Sequence, residues 1–564
     1  MSYLDTYSSW CKSDLPADVI TELRAISQDA EELKSRFGCD LQFGTAGMRG
    51  VMGVGSNRLN RYTVRRAAQG MAAWLSSTTL PQKAAIAYDS RHNSQLFAEV
   101  CAVAFAEKGI QVYIYDRLAP TPMLSYAVRE LGCGCGIVIS ASHNSGEYNG
   151  VKCYGPDGCQ MTDEPAAVVT QMIGTIPYFV PETRTFFEFM EDGIITYIGQ
   201  NLWDRYYETV LAEAVDPGVI KESNLRIVYT PLCGTGNEPV REVLGRLGVN
   251  ISVVSCQEKP DGNFKTCEYP NPETDAALQE SYKIADRTDC DLILGTDPDC
   301  DRVAIAVPVN GGYRKLSGNE LGCLLMDYIL RARVARNDIP EGAIVVRSIV
   351  SSPLADRIAA NYGVTMKAVL TGFKYIGGEI LSLEEKGEEA KFIFGFEESC
   401  GYLKGTYARD KDAVVASMLV CEMASFLKKQ GKTVLDALTE IYNTYGYYLA
   451  HVQSISLTGA DAMEKAAAMM SDLRANAPAS IGGAQVTEIR DYSVGVTKDV
   501  MTGKEGKILL PKSNVLEFIL GDKGSVIARP SGTEPKIKFY YTASEHSEAD
   551  SKALLDALIQ QMSK

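Results

Sequence analysis

The sequence predicts an α/β protein with a separate α+β segment at its C-terminus, and three observations carry that prediction. Short apolar, β-branched runs alternate with helical stretches through residues 1–450, the pattern of repeated α/β units. Beyond residue 450 several such runs follow one helix in close succession, as in a helix packed on a mostly antiparallel sheet. The 564 residues exceed what one hydrophobic core holds, and length alone suggests roughly four domains of about 150 residues each.

Taken in order, the apolar runs predict strands over 84–88, 112–115, 136–140, 225–230, 251–254, 291–295, 344–347 and 392–395. Helical stretches such as 97–108, 238–247 and 321–333 lie between them. Residues 1–450 have room for three α/β units, with boundaries near residues 210, 318 and 446. In the last segment a helix over 460–475 precedes strands over 486–491, 506–510, 515–519, 525–528 and 537–542. A closing helix covers 550–562.

Composition narrows the partners. The formal net charge is −15, which argues against nucleic acid and anionic membrane, since both demand a basic footprint. No apolar run approaches the roughly 18 residues of a membrane span, and the N-terminus has no basic-then-apolar signal pattern. The fifteen cysteines are scattered with no Cys-x-x-Cys spacing, so reduced thiols in the cytoplasm are expected. Only four histidines occur, His92, His143, His451 and His546, leaving little material for histidine-based metal sites or Ser-His-Asp triads.

The densest chemical signal is Gly295-Thr-Asp-Pro-Asp-Cys-Asp-Arg302, which places Asp297, Asp299 and Asp301 at alternate positions between two apolar runs. Carboxylates crowded this way repel unless a cation sits among them, and oxygen-only ligands suit Mg²⁺. A calcium EF-hand loop is ruled out, because Arg302 and Pro308 stand where that loop needs Gly and Glu. Arg302 beside such a loop suggests an anionic companion, with phosphate the obvious candidate.

Other runs are weaker alone. Ser142-His143-Asn144 follows a strand and reads as a nucleophile with polar support or as a capping turn. No Gly-x-Ser-x-Gly elbow is present. Arg529-Pro-Ser-Gly-Thr-Glu-Pro-Lys536 combines a guanidinium fork with two hydroxyls and a glycine, a phosphate-competent set. The glycine-rich run carrying Arg49 does not match the P-loop spacing. Gly234-Thr-Gly236 reads as a tight strand-to-helix turn rather than a nucleotide site. Thr371-Gly-Phe-Lys374, Glu397-Glu-Ser399 and Arg409-Asp-Lys-Asp412 suit sugar hydroxyls and ion pairs. Several of these runs end a strand, where ligands gather in open α/β sheets.

Together the runs resemble the α-D-phosphohexomutase superfamily: a phosphoserine loop around Ser142, a metal loop at Asp297, Asp299 and Asp301, a sugar loop at Glu397-Glu-Ser399, and a phosphate loop from Arg529 to Thr533. The order is the family's and the match spans nearly the whole chain. The nearest likeness is to the longer branch that includes bacterial α-phosphoglucomutases and animal phosphopentomutases. The resemblance implies three related α/β domains with mixed sheets and a C-terminal α+β domain around a central cleft. The expected domains are residues 1–210 (phosphoserine), 211–318 (metal), 319–446 (sugar) and 447–564 (phosphate).

It also implies a reaction. Ser142 would carry a phosphoryl group, with Mg²⁺ held by Ser142 and the three Asp. Arg49, Lys152 and Arg302 would neutralise the transferring group, and His143 would support the serine. Thr371, Gly372, Lys374, Glu397 and Ser399 would hold the sugar, and Arg529, Ser531, Gly532 and Thr533 its phosphate. Some relatives carry a histidine soon after the sugar loop as acid/base. Here Gly401 is followed by Tyr402, so Lys411 takes that expectation. The implied activity interconverts glucose 1-phosphate and glucose 6-phosphate, with glucose 1,6-bisphosphate as intermediate and activator. Alternatives are a phosphopentomutase, a mutase of broad specificity including mannose phosphates, a glucose 1,6-bisphosphate synthase, or a non-enzymatic sugar-phosphate sensor. The oligomeric state stays open.

Overall fold

Cys135–Ile139 is apolar at every position, and all five of its residues are buried. A strand read this way belongs in the middle of a sheet. In the computed structural model, which describes residues 2–44, 47–457, 462–530 and 536–563, it does. The first sheet sets Gly47–Val51, Tyr148–Tyr154, Cys135–Ile139, Lys83–Tyr88, Gln111–Tyr115 and Ile195–Ile198 side by side in that order. The last four strands run parallel, and the first two are antiparallel to their neighbours. Helices Arg61–Ser76 and Ser94–Ala106 cover this sheet through Val64, Met71, Phe97 and Phe105.

The second sheet repeats the plan with Gly312–Lys315, Val303–Val309, Leu292–Thr296, Arg226–Thr230 and Asn250–Val253. Here too a parallel core ends in antiparallel strands. A third sheet contains Ile344–Ser348 paired in parallel with Thr365–Val369. The C-terminal sheet is antiparallel and has seven strands, from Tyr447–Ser456 through Lys536–Glu545 and Gly524–Pro530 to Glu505–Lys507. Its apolar face, with Phe518, Val526 and Phe539, buries helices Ala462–Ala475 and Glu548–Met562 through Met470 and Leu558. The expected α/β class with a C-terminal α+β domain is thus observed. The strand expected over 506–510 is shorter, Glu505–Lys507, and Leu509 is 87% exposed.

The chain divides into two compact units. One holds Met1–Ser317, Ile376–Phe392 and Cys400–Lys429, and the other Gly318–Tyr375, Ile393–Ser399 and Gln430–Lys564. No helix among the described residues is long and apolar enough to cross a membrane.

One local device recurs. Cys135–Ile139, Leu292–Thr296 and Phe392–Glu397 each lead into a short loop and then another strand. In each loop one non-glycine residue has a left-handed backbone: Ser142 (φ 51°), Cys300 (φ 53°) and Cys400 (φ 61°). Such a residue costs on the order of 1 kcal/mol or more, so the flanking structure must impose it.

Three N-terminal helices, Tyr3–Lys12, Ala17–Ala25 and Ala30–Phe37, precede the first sheet. They form a small core of their own around Trp10, which meets Phe37, Tyr62 and Phe179 edge-on. In the same unit Glu384 takes Arg129 and Arg409 on its two carboxylate oxygens, each at 2.7 Å. Hydrogen bonding from Arg129 first, then both guanidinium charges, holds the Glu384 carboxyl down at about 2 against an ordinary 4.5. A depressed carboxyl stabilises the fold above its unfolded pKa and loses that contribution as pH falls toward the folded one. Glu384→Gln should therefore melt lower than the parent at pH 7, with the gap closing between pH 4.5 and 2. Thermal melts across that window check it, and a gap constant with pH would refute the assignment.

Candidate active site

The serine loop is shaped from beneath. Strand Cys135–Ile139 delivers Ser140, whose Oγ accepts from the Ser142 amide at 2.8 Å. Arg91, 3% exposed, lies against the loop and donates to four of its carbonyls. These are Ser142 O (2.5 Å), Asn144 O (2.5 Å), Ser145 O (2.7 Å) and Tyr148 O (3.0 Å). Asp89 sits 3.3 Å from Arg91 Nε and accepts from the Arg91 amide and Ser94 Oγ. The Phe264 ring closes the guanidinium off at 5.0 Å. Charge-assisted bonds of this kind are roughly twice as strong as neutral ones, which is how the loop sustains the left-handed Ser142.

Ser142 Oγ donates to Asp297 Oδ2 at 2.7 Å and lies 3.2 Å from His143 Nδ1. Burial first, then the Arg302 and Arg49 cations, pushes the His143 pKa down to about 2. The imidazole is neutral at physiological pH and acts here as a hydrogen-bonding group rather than a charge.

The aspartate loop joins two antiparallel strands, Leu292–Thr296 and Val303–Val309. Asp297 Oδ1 accepts the amides of Asp301 and Arg302, which fixes the turn. Asp299 Oδ2 accepts Thr121 Oγ1 at 2.9 Å and Lys152 Nζ at 2.5 Å. Asp301 Oδ2 lies 3.3 Å from Lys152 Nζ and 3.2 Å from Lys411 Nζ. One ligand oxygen from each aspartate falls within 4.8 Å of the others, and all three residues are buried. Gly234 and Gly236 pack under this loop: a Cβ at 234 would sit 2.4 Å from Pro298 Cα, and one at 236 would sit 2.8 Å from Cys300 Sγ. The glycine turn thus supports the carboxylates, as a strand-to-helix turn and not a nucleotide site.

These residues fit a hard dication. Asp299 Oδ1 and Asp301 Oδ1 are buried and have no hydrogen-bond partner among the described residues, and buried carboxylate oxygens are costly to leave unsatisfied. Two carboxylates about 4 Å apart at an effective dielectric near 20 repel by about 4 kcal/mol. Burial first, then the Asp299 and Asp301 charges, drives Asp297 well above the usual carboxylate range. Burial would raise Asp299 too, yet the Lys152 ammonium and Thr121 hydroxyl hold it below that range. Oxygen-only donors of this charge suit Mg²⁺.

The cations expected around the serine are present in the same unit. Arg49 lies on strand Gly47–Val51 and donates to Asn144 Oδ1 at 2.9 Å. Lys152 lies on Tyr148–Tyr154, the strand paired with it. Arg302 is held by Glu273, with Nη1 to Oε1 at 2.9 Å. The structure therefore brings Arg49, Ser142, His143, Lys152, Asp297, Asp299, Asp301, Arg302 and Lys411 into one unit.

The second unit carries the residues expected for sugar and phosphate. Gly372 has φ 117°, and its amide donates to Glu397 Oε1 at 2.7 Å. Lys374 Nζ stands 5.1 Å above the Tyr375 ring. Thr371 Oγ1 is buried with no hydrogen-bond partner among the described residues. Ser348 donates to Glu398, Ser399 is half-buried, and Arg529 lies on Gly524–Pro530. Ser531, Gly532 and Thr533 lie outside the described residues.

Sequence reasoning missed the residues that brace the site. Arg91 closes Asp89-Ser-Arg91, a short polar run after the strand expected over 84–88 that matches no motif, and Thr121 and Tyr154 give no signal at all. Glu273 falls in a Pro-Asn-Pro-Glu run that reads as an ordinary turn.

Comparison with known proteins gives a consistent result. Family models of phosphoglucomutase/phosphomannomutase α/β/α domains I, II and III match residues 40–178, 204–311 and 317–445, and that of the C-terminal domain matches 477–561. The chain is 35% identical over 539 residues to a phosphoglucomutase of Staphylococcus epidermidis, covering 94% of this chain and 96% of the relative. It is 38% identical over 517 residues to that of Staphylococcus haemolyticus, covering 91% and 92%. In fold it is similar to Paramecium parafusin, a phosphoglucomutase in its open form, with TM-score 0.70, 17% identity and coverage of 93% and 94%. A family protein from Burkholderia thailandensis gives TM-score 0.65, 18% identity and coverage of 92% and 96%.

Proposed function

This chain belongs to the phosphoglucomutase/phosphomannomutase family, and from that premise we propose that it interconverts α-D-glucose 1-phosphate and glucose 6-phosphate through a phosphoserine at residue 142. Enzymes of this family are intramolecular phosphotransferases. The observation that carries the reading is the 2.7 Å bond from Ser142 Oγ to Asp297. It sets a clamped, strained serine against a carboxylate cluster with two unsatisfied oxygens.

Ser142, Asp297, Asp299 and Asp301 are the residues that would hold Mg²⁺. When bound, the ion supplies positive charge against the transferring phosphoryl group. Arg49, Lys152 and Arg302 add fixed cations around the same group, where phosphoryl transfer needs neutralisation and alignment most. For this Arg302 exchanges Glu273 for a phosphoryl oxygen. His143, neutral, steadies Ser142 Oγ. Lys411 exchanges the proton of the attacking sugar hydroxyl. Thr371, Gly372, Lys374, Glu397 and Ser399 hold the sugar, and Arg529 with Ser531, Gly532 and Thr533 holds its resident phosphate. Attack of the free hydroxyl on phospho-Ser142 gives glucose 1,6-bisphosphate, and return of the other phosphate to Ser142 completes the turnover. Fifteen free cysteines fit a reducing cytoplasm.

Turnover of glucose 1-phosphate, mannose 1-phosphate and ribose 1-phosphate, each with and without glucose 1,6-bisphosphate, tests the reading. Glucose 1-phosphate should turn over fastest, and catalytic bisphosphate should raise its rate. Preference for ribose 1-phosphate would replace this reading with a phosphopentomutase. Net accumulation of bisphosphate from a separate donor would replace it with a synthase.

A further inference from the structure

We propose that Tyr154 and Asp410 are positioning residues that aim Lys411 at the reacting centre, with strand Tyr148–Tyr154 setting the placement of both lysines of the site. The inference rests on the role given to Lys411 above.

Lysine is a poor tool unless restrained: its four-carbon stem carries about 2 kcal/mol of rotamer entropy. Here both ends are fixed. The stem crosses the backbone at Gly401, where an added Cβ would lie 2.1 Å from Lys411 Cδ and 2.7 Å from its Cγ. Only glycine leaves that groove open. At the tip, Nζ sits 2.9 Å from Asp410 Oδ1 and 3.2 Å from Asp301 Oδ2. Asp410 is itself 1% exposed. Its Oδ1 also accepts the Lys411 amide at 2.8 Å, and its Oδ2 accepts Tyr154 OH at 2.8 Å. The phenol is fully buried, and burial first, then the Asp410 charge, raises its pKa well above the ordinary value. It is a permanent donor, so the carboxylate cannot turn away from Lys411 without stranding a buried hydroxyl.

Tyr154 stands two residues from Lys152 on one strand. Side chains at i and i+2 share a face, about 6.6 Å apart. The strand therefore presents Lys152 directly to Asp299 and Asp301, and presents Tyr154 to the carboxylate that orients Lys411. Both ammonium groups converge on Asp301 Oδ2. The loop beyond is knotted at Asp412, which accepts Tyr206 OH and Tyr407 OH on Oδ2 and caps helix Ala413–Lys429 with Oδ1. Displacement of Asp410 therefore moves Lys411 and not the whole segment.

A double-mutant cycle in the full-length, Mg²⁺-loaded enzyme decides it. Tyr154→Phe should lower kcat about tenfold with KM and the Mg²⁺ half-saturation unchanged, since the group removed touches neither sugar phosphate nor aspartate loop. In a Lys411→Ala background the same change should have no further effect on kcat. Asp410→Asn, which keeps the shape and removes the charge, should behave alike and serves if the tyrosine variant folds poorly. Equal fold-losses in both backgrounds, or no loss for either variant in the parent, would overturn the proposal. Full kcat in Lys411→Ala alone would instead remove the role given to Lys411.

Discussion

Ser142→Ala should yield a protein that carries no phosphoryl group and has lost turnover by on the order of 10⁴-fold or more. The size follows from what the hydroxyl does. It is the only atom of its residue that can bond the phosphorus, and it is the oxygen held 2.7 Å from Asp297 Oδ2 at the edge of the carboxylate cluster. The fold should survive, because the loop's shape comes from Arg91 and the Ser140 hydroxyl rather than from Ser142 Oγ. Alanine keeps the strain of about 1 kcal/mol that serine already bears at φ 51°, and Ser142→Gly is a second variant that removes the hydroxyl and relieves that strain. Intact-mass measurement of parent and variants, with thermal melts alongside, checks both halves. Retention of the phosphoryl group or of parental turnover in either variant would place the nucleophile elsewhere.

The second large effect is expected at the aspartate loop. Asp299→Asn should raise the Mg²⁺ concentration for half-maximal activity by about 100-fold and lower turnover even at saturation. Asp299 has one oxygen committed to Lys152 and Thr121, and the other is buried and unsatisfied. An amide in its place removes a negative charge from the set. It also directs either its NH₂ toward the Lys152 ammonium, a donor facing a donor, or its NH₂ toward the cation. Both orientations are unfavourable. Titration of activity with Mg²⁺, with Ca²⁺ and Mn²⁺ for comparison, provides the readout. An unchanged titration would separate the carboxylate cluster from metal binding.

Much of the site was legible because its chemistry sits in short contiguous runs at strand ends. The alternate aspartates, Ser142 with His143, and Glu397-Glu-Ser399 each announce a loop whose polar content is too dense for a simple turn. The bracing groups were not legible, because each acts across a long sequence gap. Arg91 holds Ser142 from 51 residues away, and Thr121 holds Asp299 from 178. The strand Tyr148–Tyr154 was hidden by its Asn149-Gly150 pair, which by composition reads as a turn. In the fold Gly150 is flat against two neighbours, since a Cβ there would sit 2.6 Å from Ser140 O and 3.0 Å from Met48 O. Asn149 spends its side chain on His92 O and Ser94 Oγ. Tyr447–Ser456 escaped for another reason: it is polar at half its positions and lies at a sheet edge with no fully buried residue. The three N-terminal helices were missed as well, although Trp10, Leu23, Leu33 and Phe37 supply the apolar contacts that hold them together.

The three loops with a left-handed non-glycine residue have a consequence for how such a site diversifies. In each, the awkward backbone angle falls in a loop between two strands, while the side chain at that angle differs: serine at 142, cysteine at 300 and 400. The scaffold acts as a socket whose shape is independent of what is plugged into it. One socket presents a serine hydroxyl, the second spaces carboxylates to either side of a cysteine, and the third follows a pair of glutamates and a serine. Loop contents can thus be exchanged one socket at a time, without renegotiating the sheets beneath.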